Sequence, residues 1–364
     1  MRYAVIIAGG AGTRLWPMSR SEQPKQLIPF LNGRSLLQVA VERLRGVIEP
    51  ERVLICTGEQ FRGAIRSAMP QISDDQIIGE PEGRDTLAAV ALPAAVVARQ
   101  DPDATIAVFT ADHLIEPVDV FTERVQRGYE IAEQRPQTLV TFGIEPTHAA
   151  TGYGYVRLGE AIEGFEHASK TLEFKEKPDE ATAEQYVADG SYLWNSGMFV
   201  WRAQTLLDCV ARYEPSVHEG VVKIAEAWGT PQRGQVVAEI YPTLKKISVD
   251  FAVMENAAKD EAVDIATVKM PVKWLDVGGW PAYGQTVDAD HTGNRAASDG
   301  VLVEQGSDNL VVNDSHDHVI ALLGVSDLIV VHTKGATLIC HRDAAESIKA
   351  LHAKVREIFG DEYV

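Results

Sequence analysis

A chain of 364 residues, 45% of them hydrophobic and 24% charged, is long enough for roughly two globular domains with a large buried core. Its formal net charge of -18 excludes sequence-independent binding to nucleic acid or to an anionic membrane, since both need an excess of Lys and Arg at the contact, so any phosphate site has to be a local basic patch. The three cysteines, Cys56, Cys209 and Cys340, lie far apart with no CxxC pair, which excludes a disulfide framework and a thiolate zinc site and suits a reducing compartment.

The opening MRYAVIIAGGAGTR has an apolar run too short for a signal-peptide core or a membrane span, and it reads as a buried strand of a cytoplasmic enzyme. Strands are expected over Tyr3 to Ala8, Val53 to Thr57, Ile106 to Thr110 and Thr138 to Gly143. Helices are expected between them over Ser35 to Arg45, Thr86 to Arg99 and Val120 to Arg135. That alternation predicts an α/β sheet. From about Ser298 the texture changes to short strands separated by turns, which predicts a small β domain, either a short β-helix or a hairpin stack. A last amphipathic helix is expected over Ala344 to Phe359. These readings divide the chain into 1–290 and 291–364.

The first strand runs into Gly9-Gly10-Ala11-Gly12-Thr13-Arg14, where glycines permit positive φ and let backbone N–H groups approach a ligand. The turn is neither the GxGxxG dinucleotide fingerprint nor a Walker loop, and alone it is as well explained by structure as by phosphate binding. Arg14, Arg20 and Lys25 then place three cations behind it in an acidic protein, the combination a triphosphate requires, although a solvated basic patch has the same pattern.

The run GGAGTRLWPMSRSEQPKQL resembles the signature loop of the mannose-1-phosphate guanylyltransferases. The resemblance implies a Rossmann-like, GT-A-like mixed sheet with helices on both faces and a small C-terminal β domain. It further implies that Ala8, Gly9, Gly10, Gly12, Thr13 and Arg14 wrap the phosphates of GTP, with Lys25 on phosphate in the reacting complex. Glu80-Pro81-Glu82-Gly83-Arg84-Asp85-Thr86 is similar to the family's EPxGRNT element, with Asp85 where the pattern has Asn; locally, its Asp-Thr pair reads as a helix cap. A carboxylate such as Glu80 can accept both N–H donors of guanine, so Glu80, Arg84, Asp85 and Thr86 are assigned to the base and nucleotide.

Asp112, in Thr110-Ala111-Asp112-His113, should stand at the C-terminal end of a strand, the edge where open α/β sheets place ligands. The resemblance makes Asp112 and Asp276, in Trp274-Leu275-Asp276-Val277-Gly278, the ligands of a magnesium ion, with Gly279 standing where family members often carry a polar residue. Tyr153 and Gly154, Glu176 and Lys177 of the Glu-Lys-Pro turn, and Asn195 of Trp-Asn-Ser-Gly are implied for the sugar phosphate. Ile247 to Glu255 also resembles a family segment, but its apolar spacing fits a packing helix and it is given no catalytic role. His316-Asp317-His318 reads as a surface turn.

The implied reaction is attack by mannose 1-phosphate on the α-phosphorus of GTP, with no general base, because a phosphomonoester with a second pKa near about 6 is already ionised at neutral pH. Arg14, Lys25, Asp112 and Asp276 form the implied catalytic set. The alternatives are a nucleotidyltransferase for glucose 1-phosphate or another base, and a non-catalytic nucleotide-sugar sensor. The resemblance is to the short family form without an isomerase domain, so isomerase activity is not expected. The β tail offers edge strands for a homodimer.

Overall fold

The computed structural model describes residues 1–10, 12–20, 23–30 and 33–364; Ala11, Ser21 and Glu22 of the signature run, together with Leu31 and Asn32, lie outside the described residues. The chain divides into two compact units. Met1–Gly9, Ala40–Ala111 and Ile115–Trp274 make the first, while Gly10–Val39, Asp112–Leu114 and Leu275–Val364 make the second.

The first unit is built on a nine-stranded mixed sheet. Arg2–Ile7 lies parallel between Val53–Gly58 and Thr105–Thr110, and Ile77–Glu80 extends the parallel edge. Tyr192–Arg202 then runs antiparallel to Thr105–Thr110 and to Thr138–Ile144, and Asp264–Lys269, Ala168–Lys175 and Gly154–Ala161 complete the order. Period-two alternation explains how both faces are covered. On Thr105–Thr110, Ile106 and Val108 join the core around helix Asp85–Gln100, whereas Phe109 meets Phe121 of helix Val118–Gln134 at 5.7 Å. Helix Asp85–Gln100 is buried continuously from Leu87 to Val97, as its unbroken apolar run requires, and packs with Ala203–Tyr213 and Pro215–Ala227 in one core. Gly128 lets helix Val118–Gln134 settle on the sheet, since a Cβ there would stand 2.9 Å from the Phe142 ring.

The second unit contains the β tail and resolves the choice between a β-helix and hairpins. Arg295–Ala296, Leu310–Asn313 and Leu328–Thr333 stack in parallel, as do Val301–Glu304 and Ile320–Leu323, so successive strands coil, and Ala336–His341 returns antiparallel to Leu328–Thr333. Buried asparagines hold the turns of the coil. Asn309 donates to Asn294 Oδ1 and to Val325 O, each at 2.9 Å, and accepts from Leu328 N–H at 3.0 Å, so its polar side chain is satisfied where no water reaches it. Leu310, Val312, Ile329, Val331 and Leu338 of the coil form one core with Leu15, Trp16, Trp280 and Ile348. The Trp16 indole N–H donates to Tyr363 O at 2.7 Å, and Trp280 donates to Trp16 O at 3.0 Å. The segment after the glycine turn is thus part of the core of the C-terminal coil. The closing helix is α-helical over Ile348–Phe359, and Arg342–Ser347 before it is a tighter 3₁₀ turn. Among the described residues no helix is long and apolar enough to cross a membrane.

Candidate active site

Ala8 ends the first strand tied to its neighbour, its N–H donating to Cys56 O at 2.8 Å and its carbonyl accepting from the Thr57 hydroxyl at 2.9 Å. Gly10 and Gly12 follow with φ of 94° and 63°, the left-handed region that glycine alone enters without cost. Gly12 is fixed by space as well: a Cβ there would stand 2.5 Å from Lys25 Cβ, because the lysine stem crosses directly over it. Thr13–Leu15 and Lys25–Leu27 are short 3₁₀ turns, and the Ser19 hydroxyl donates to Gly12 O at 2.7 Å. Beyond Gly12 the lysine reaches Asp112, with Nζ 2.5 Å from Oδ2.

Asp112 stands just past strand Thr105–Thr110, as its place in the sequence predicts. Val277 N–H donates to Asp112 O at 3.0 Å, which brings Asp276 beside Asp112 although the two are far apart in sequence. One ligand atom each from Asp112, His113 and Asp276 lie within 4.8 Å of one another. Arg14 flanks the same corner: a Cβ on Gly278 would meet Asp276 Oδ1 at 3.6 Å and Arg14 Nη1 at 3.7 Å. Arg14 also pairs with Glu346 at 3.6 Å, a solvent-exposed contact that contributes little. Burial pushes the Asp112 carboxyl up, but the charges of Lys25 and His113 and the Lys25 hydrogen bond outweigh it and hold the group below the ordinary aspartate value. Two carboxylates beside an imidazole, the Asp112 one held in its charged form by Lys25, fit a divalent cation that completes its shell with water and substrate phosphate. His113 was passed over in the sequence, where its adjacency to Asp112 was the available signal. Arg20 points elsewhere, donating to Thr333 Oγ1 at 2.8 Å and to Pro17 O at 3.2 Å, so of the three cations after the turn it serves the coil.

In the first unit, Glu80 ends strand Ile77–Glu80 and is buried. The Tyr241 phenol donates to its Oε1 at 2.5 Å, and its Oε2 would lie 3.6 Å from a Cβ on Gly9, so one oxygen is held while the other faces the start of the glycine turn. Burial pushes this carboxyl up against the opposing effect of the tyrosine hydrogen bond. Arg84 donates to Pro242 O and pairs with Glu82. The expected capping role falls to Asp85, whose Oδ1 accepts from the Thr86 N–H at 2.8 Å and so satisfies one donor of the helix's first turn. Helix Asp85–Gln100 starts at this residue, whose φ of 64° is not helical; Arg84 before it makes no side-chain cap bond, and the Thr86 hydroxyl accepts from Val249 N–H at 3.0 Å. Aspartate tolerates that backbone region better than most residues, and Thr86 is spent on tying the helix to the 247–255 segment.

The sugar-phosphate candidates also meet in the first unit. Tyr153 lies against Trp194 and Trp274, with ring centroids 5.2 Å and 4.9 Å away. Gly154 leaves room for its neighbours: a Cβ there would stand 2.5 Å from Glu176 Oε2 and 3.3 Å from Asn195 Cβ. Lys177, with φ of 44°, is a non-glycine residue in the left-handed region and holds its ammonium 3.3 Å from Glu176 Oε1. Burial, then the charge of Asp250, push the Glu176 carboxyl up to about 7 against the pull of Lys177. Sequence reading missed two acids here. Asp250 accepts from the Asn195 amide at 2.8 Å and Glu255 accepts from Glu176 N–H at 2.9 Å, so the segment read as packing alone also touches two sugar candidates. Its packing role is present too, with Ala252, Val253 and Met254 buried in a single π-helical turn over Asp250–Met254.

Residues 3–293 match the nucleotidyl transferase family, and residues 300–355 match the mannose-phosphate isomerase/GMP-like β-helix domain. The mannose-1-phosphate guanylyltransferase of Klebsiella pneumoniae is 35% identical over 353 residues, 96% of this chain and 73% of that protein. The enzyme of the same name from Escherichia coli K12 is 36% identical over 361 residues, 97% of this chain and 73% of its own. The chain belongs to the mannose-1-phosphate guanylyltransferase family. Within solved structures, a protein described as mannose-1-phosphate geranyltransferase from Thermus thermophilus superimposes with a TM-score of 0.84 at 31% identity, covering 98% of this chain and 99% of that one. A Helicobacter pylori protein described as mannose-6-phosphate isomerase shares the fold alone, at 22% identity and a TM-score of 0.60 over 76% of this chain and 100% of its own. Nucleotidyltransferases of this family act on a nucleoside triphosphate and a sugar 1-phosphate with a divalent metal, which accords with the chemistry of the Asp112, His113 and Asp276 donors.

Proposed function

We propose that this protein makes GDP-mannose from GTP and mannose 1-phosphate. The observation that carries the reading is the meeting of Asp112, His113 and Asp276 within 4.8 Å, with Lys25 on Asp112 behind a glycine turn. The names of the relatives supply the choice of guanine and mannose. An oxygen of the sugar phosphate bonds to the α-phosphorus of GTP, the bond from that phosphorus to the β-bridging oxygen breaks, and pyrophosphate leaves. No proton has to be moved, because the nucleophile is already an anion.

Catalysis is then positioning and charge stabilisation. Gly9, Gly10, Gly12 and Thr13 present backbone donors to the phosphates beside Ala8, whose own N–H is taken by Cys56 O, and Arg14 and Lys25 stabilise charge on the α-phosphoryl oxygens and the departing pyrophosphate. Asp112 and Asp276 would hold magnesium, which would supply positive charge to offset that of the phosphates. Glu80 reads the guanine edge, assisted by Arg84, Asp85 and Thr86. Glu176 and Asn195 bind sugar hydroxyls, Tyr153 and Gly154 line the sugar, and Lys177 offsets its phosphate. We assign these tasks to residues 1–290, regard 291–364 as a supporting coil, and infer a cytoplasmic homodimer.

Pyrophosphate release from a panel of nucleoside triphosphates and sugar 1-phosphates, with magnesium and with a chelator, tests the reading. Release specific to GTP with mannose 1-phosphate and abolished by chelation is expected. Preference for another pair would overturn the substrates, and silence across the panel with folded protein would favour a sensor.

A further inference from the structure

We propose that Asp250 binds a hydroxyl of the sugar 1-phosphate directly and, paired with Asn195, sets which sugar is accepted. The inference deepens the proposed function and rests on it.

The Asn195 side chain is held in one orientation. Its Oδ1 accepts from the Thr141 hydroxyl at 2.9 Å and from Gly197 N–H at 3.3 Å, while its Nδ2 donates to Asp250 Oδ1 at 2.8 Å. Flipping the amide would aim its N–H₂ at the Gly197 N–H and its oxygen at a carboxylate, so both neighbours enforce the observed choice. One Nδ2 hydrogen and the remaining lone pairs of Asp250 are left side by side. A hydroxyl that accepts the first and donates to the second satisfies both at once, and a sugar presents hydroxyls of that kind.

Asp250 is placed for this at some cost. Burial pushes its carboxyl above the ordinary aspartate value, against the Asn195 hydrogen bond, a bond to its own backbone N–H and the more distant charge of Lys177. A half-buried carboxylate whose nearby cation does not offset its burial destabilises the free protein, and a hydrogen-bonding ligand relieves that cost. The backbone holds the group in position: the π turn over Asp250–Met254 starts at this residue, and Val249 N–H is anchored on Thr86. Such turns recur at functional sites. Glu255, from the same stretch, holds Glu176 N–H at 2.9 Å, so the segment orders two proposed sugar contacts together. A sugar epimer whose hydroxyl is directed elsewhere would leave Asp250 unpaired, and buried polar groups left unpaired are what make such sites selective.

The test is Asp250→Asn, which keeps the volume and an acceptor for Asn195 but removes the charge. Calorimetric titration with mannose 1-phosphate, glucose 1-phosphate and magnesium-GTP is compared between wild type and variant, together with kcat/KM for both sugars. The inference predicts a Kd for mannose 1-phosphate weakened by about tenfold or more, on the scale of a hydrogen bond to a charged group, a smaller preference for mannose over glucose, and GTP affinity within about twofold of wild type. Unchanged sugar affinity and preference would overturn it, and so would equal losses for GTP and sugar, the mark of a purely structural role. Should the variant not fold, Asp250→Glu, which keeps the charge and shifts it by one methylene, is read by the same sugar ratio. A wild-type protein that binds neither sugar 1-phosphate would overturn the proposed function itself, and the inference with it.

Discussion

Lys25 Nζ lies 2.5 Å from Asp112 Oδ2, and the stem of the same lysine crosses Gly12 so closely that no side chain fits beneath it. One residue therefore joins the glycine turn to the acidic corner. The pair is mostly buried, with 13% of the lysine side chain and 22% of the aspartate exposed, so its charges are weakly screened. Lys25→Met should lower the rate of pyrophosphate release by roughly 100-fold, the usual effect of removing one stabilising group from a developing charge. Steady-state kinetics at saturating substrates checks it, and a rate within a few-fold of wild type would remove Lys25 from the reaction.

Gly10 and Gly12 both have positive φ, but only Gly12 is also closed by a neighbour. Gly10→Ala should cost about 1 kcal/mol of backbone strain and little else. Gly12→Ala adds a clash with Lys25 and should lose more stability and weaken GTP binding. Denaturant unfolding and GTP titration of the two variants compare them, and equal effects would contradict the role assigned to the lysine stem.

The metal corner makes a paired prediction. Asp112→Asn and Asp276→Asn should each lower turnover by roughly 100-fold or more, the scale of charge stabilisation attributed to a bound metal ion, and raise the magnesium concentration needed for half-maximal rate. Circular dichroism should show the fold retained. Normal magnesium dependence in either variant would remove that residue from the ligand set.

Glu176 gives a pH signature. Its folded carboxyl is pushed from 4.5 to about 7 by burial and the charges of Asp250 and Glu255, opposed by Lys177. The fold thus favours the protonated acid: that contribution is fully present below about 4.5 and is lost as pH rises through about 7. Glu176→Gln cannot ionise, so its Tm relative to wild type should rise between pH 5 and pH 8. Melting curves that stay parallel across that range would contradict the assignment.

Much of this arrangement was legible in the sequence because it is local. The apolar runs marked the strands of the mixed sheet, the glycines marked the turn, and the shift to short strands marked the coil. What was not legible depends on contacts between distant segments. Nothing near Trp16 signals that its indole donates to Tyr363 O at the other end of the chain. Arg20 resembled a third phosphate cation until Thr333 claimed it. Asp250 lay in an apolar helical pattern that described its neighbours correctly and hid the one carboxylate directed at Asn195. Asp85 was legible as a helix cap, but not its φ of 64° or the bond from Val249 N–H to the Thr86 hydroxyl, which depends on a distant segment.

The central claim is tested most directly by ³¹P NMR of GTP, mannose 1-phosphate and magnesium incubated with the protein. The account predicts loss of the sugar-phosphate signal with matched growth of a sugar-linked diphosphate and of pyrophosphate, all stopped by a chelator. Formation of GDP and orthophosphate with the sugar phosphate untouched, or no change with folded protein, would contradict it.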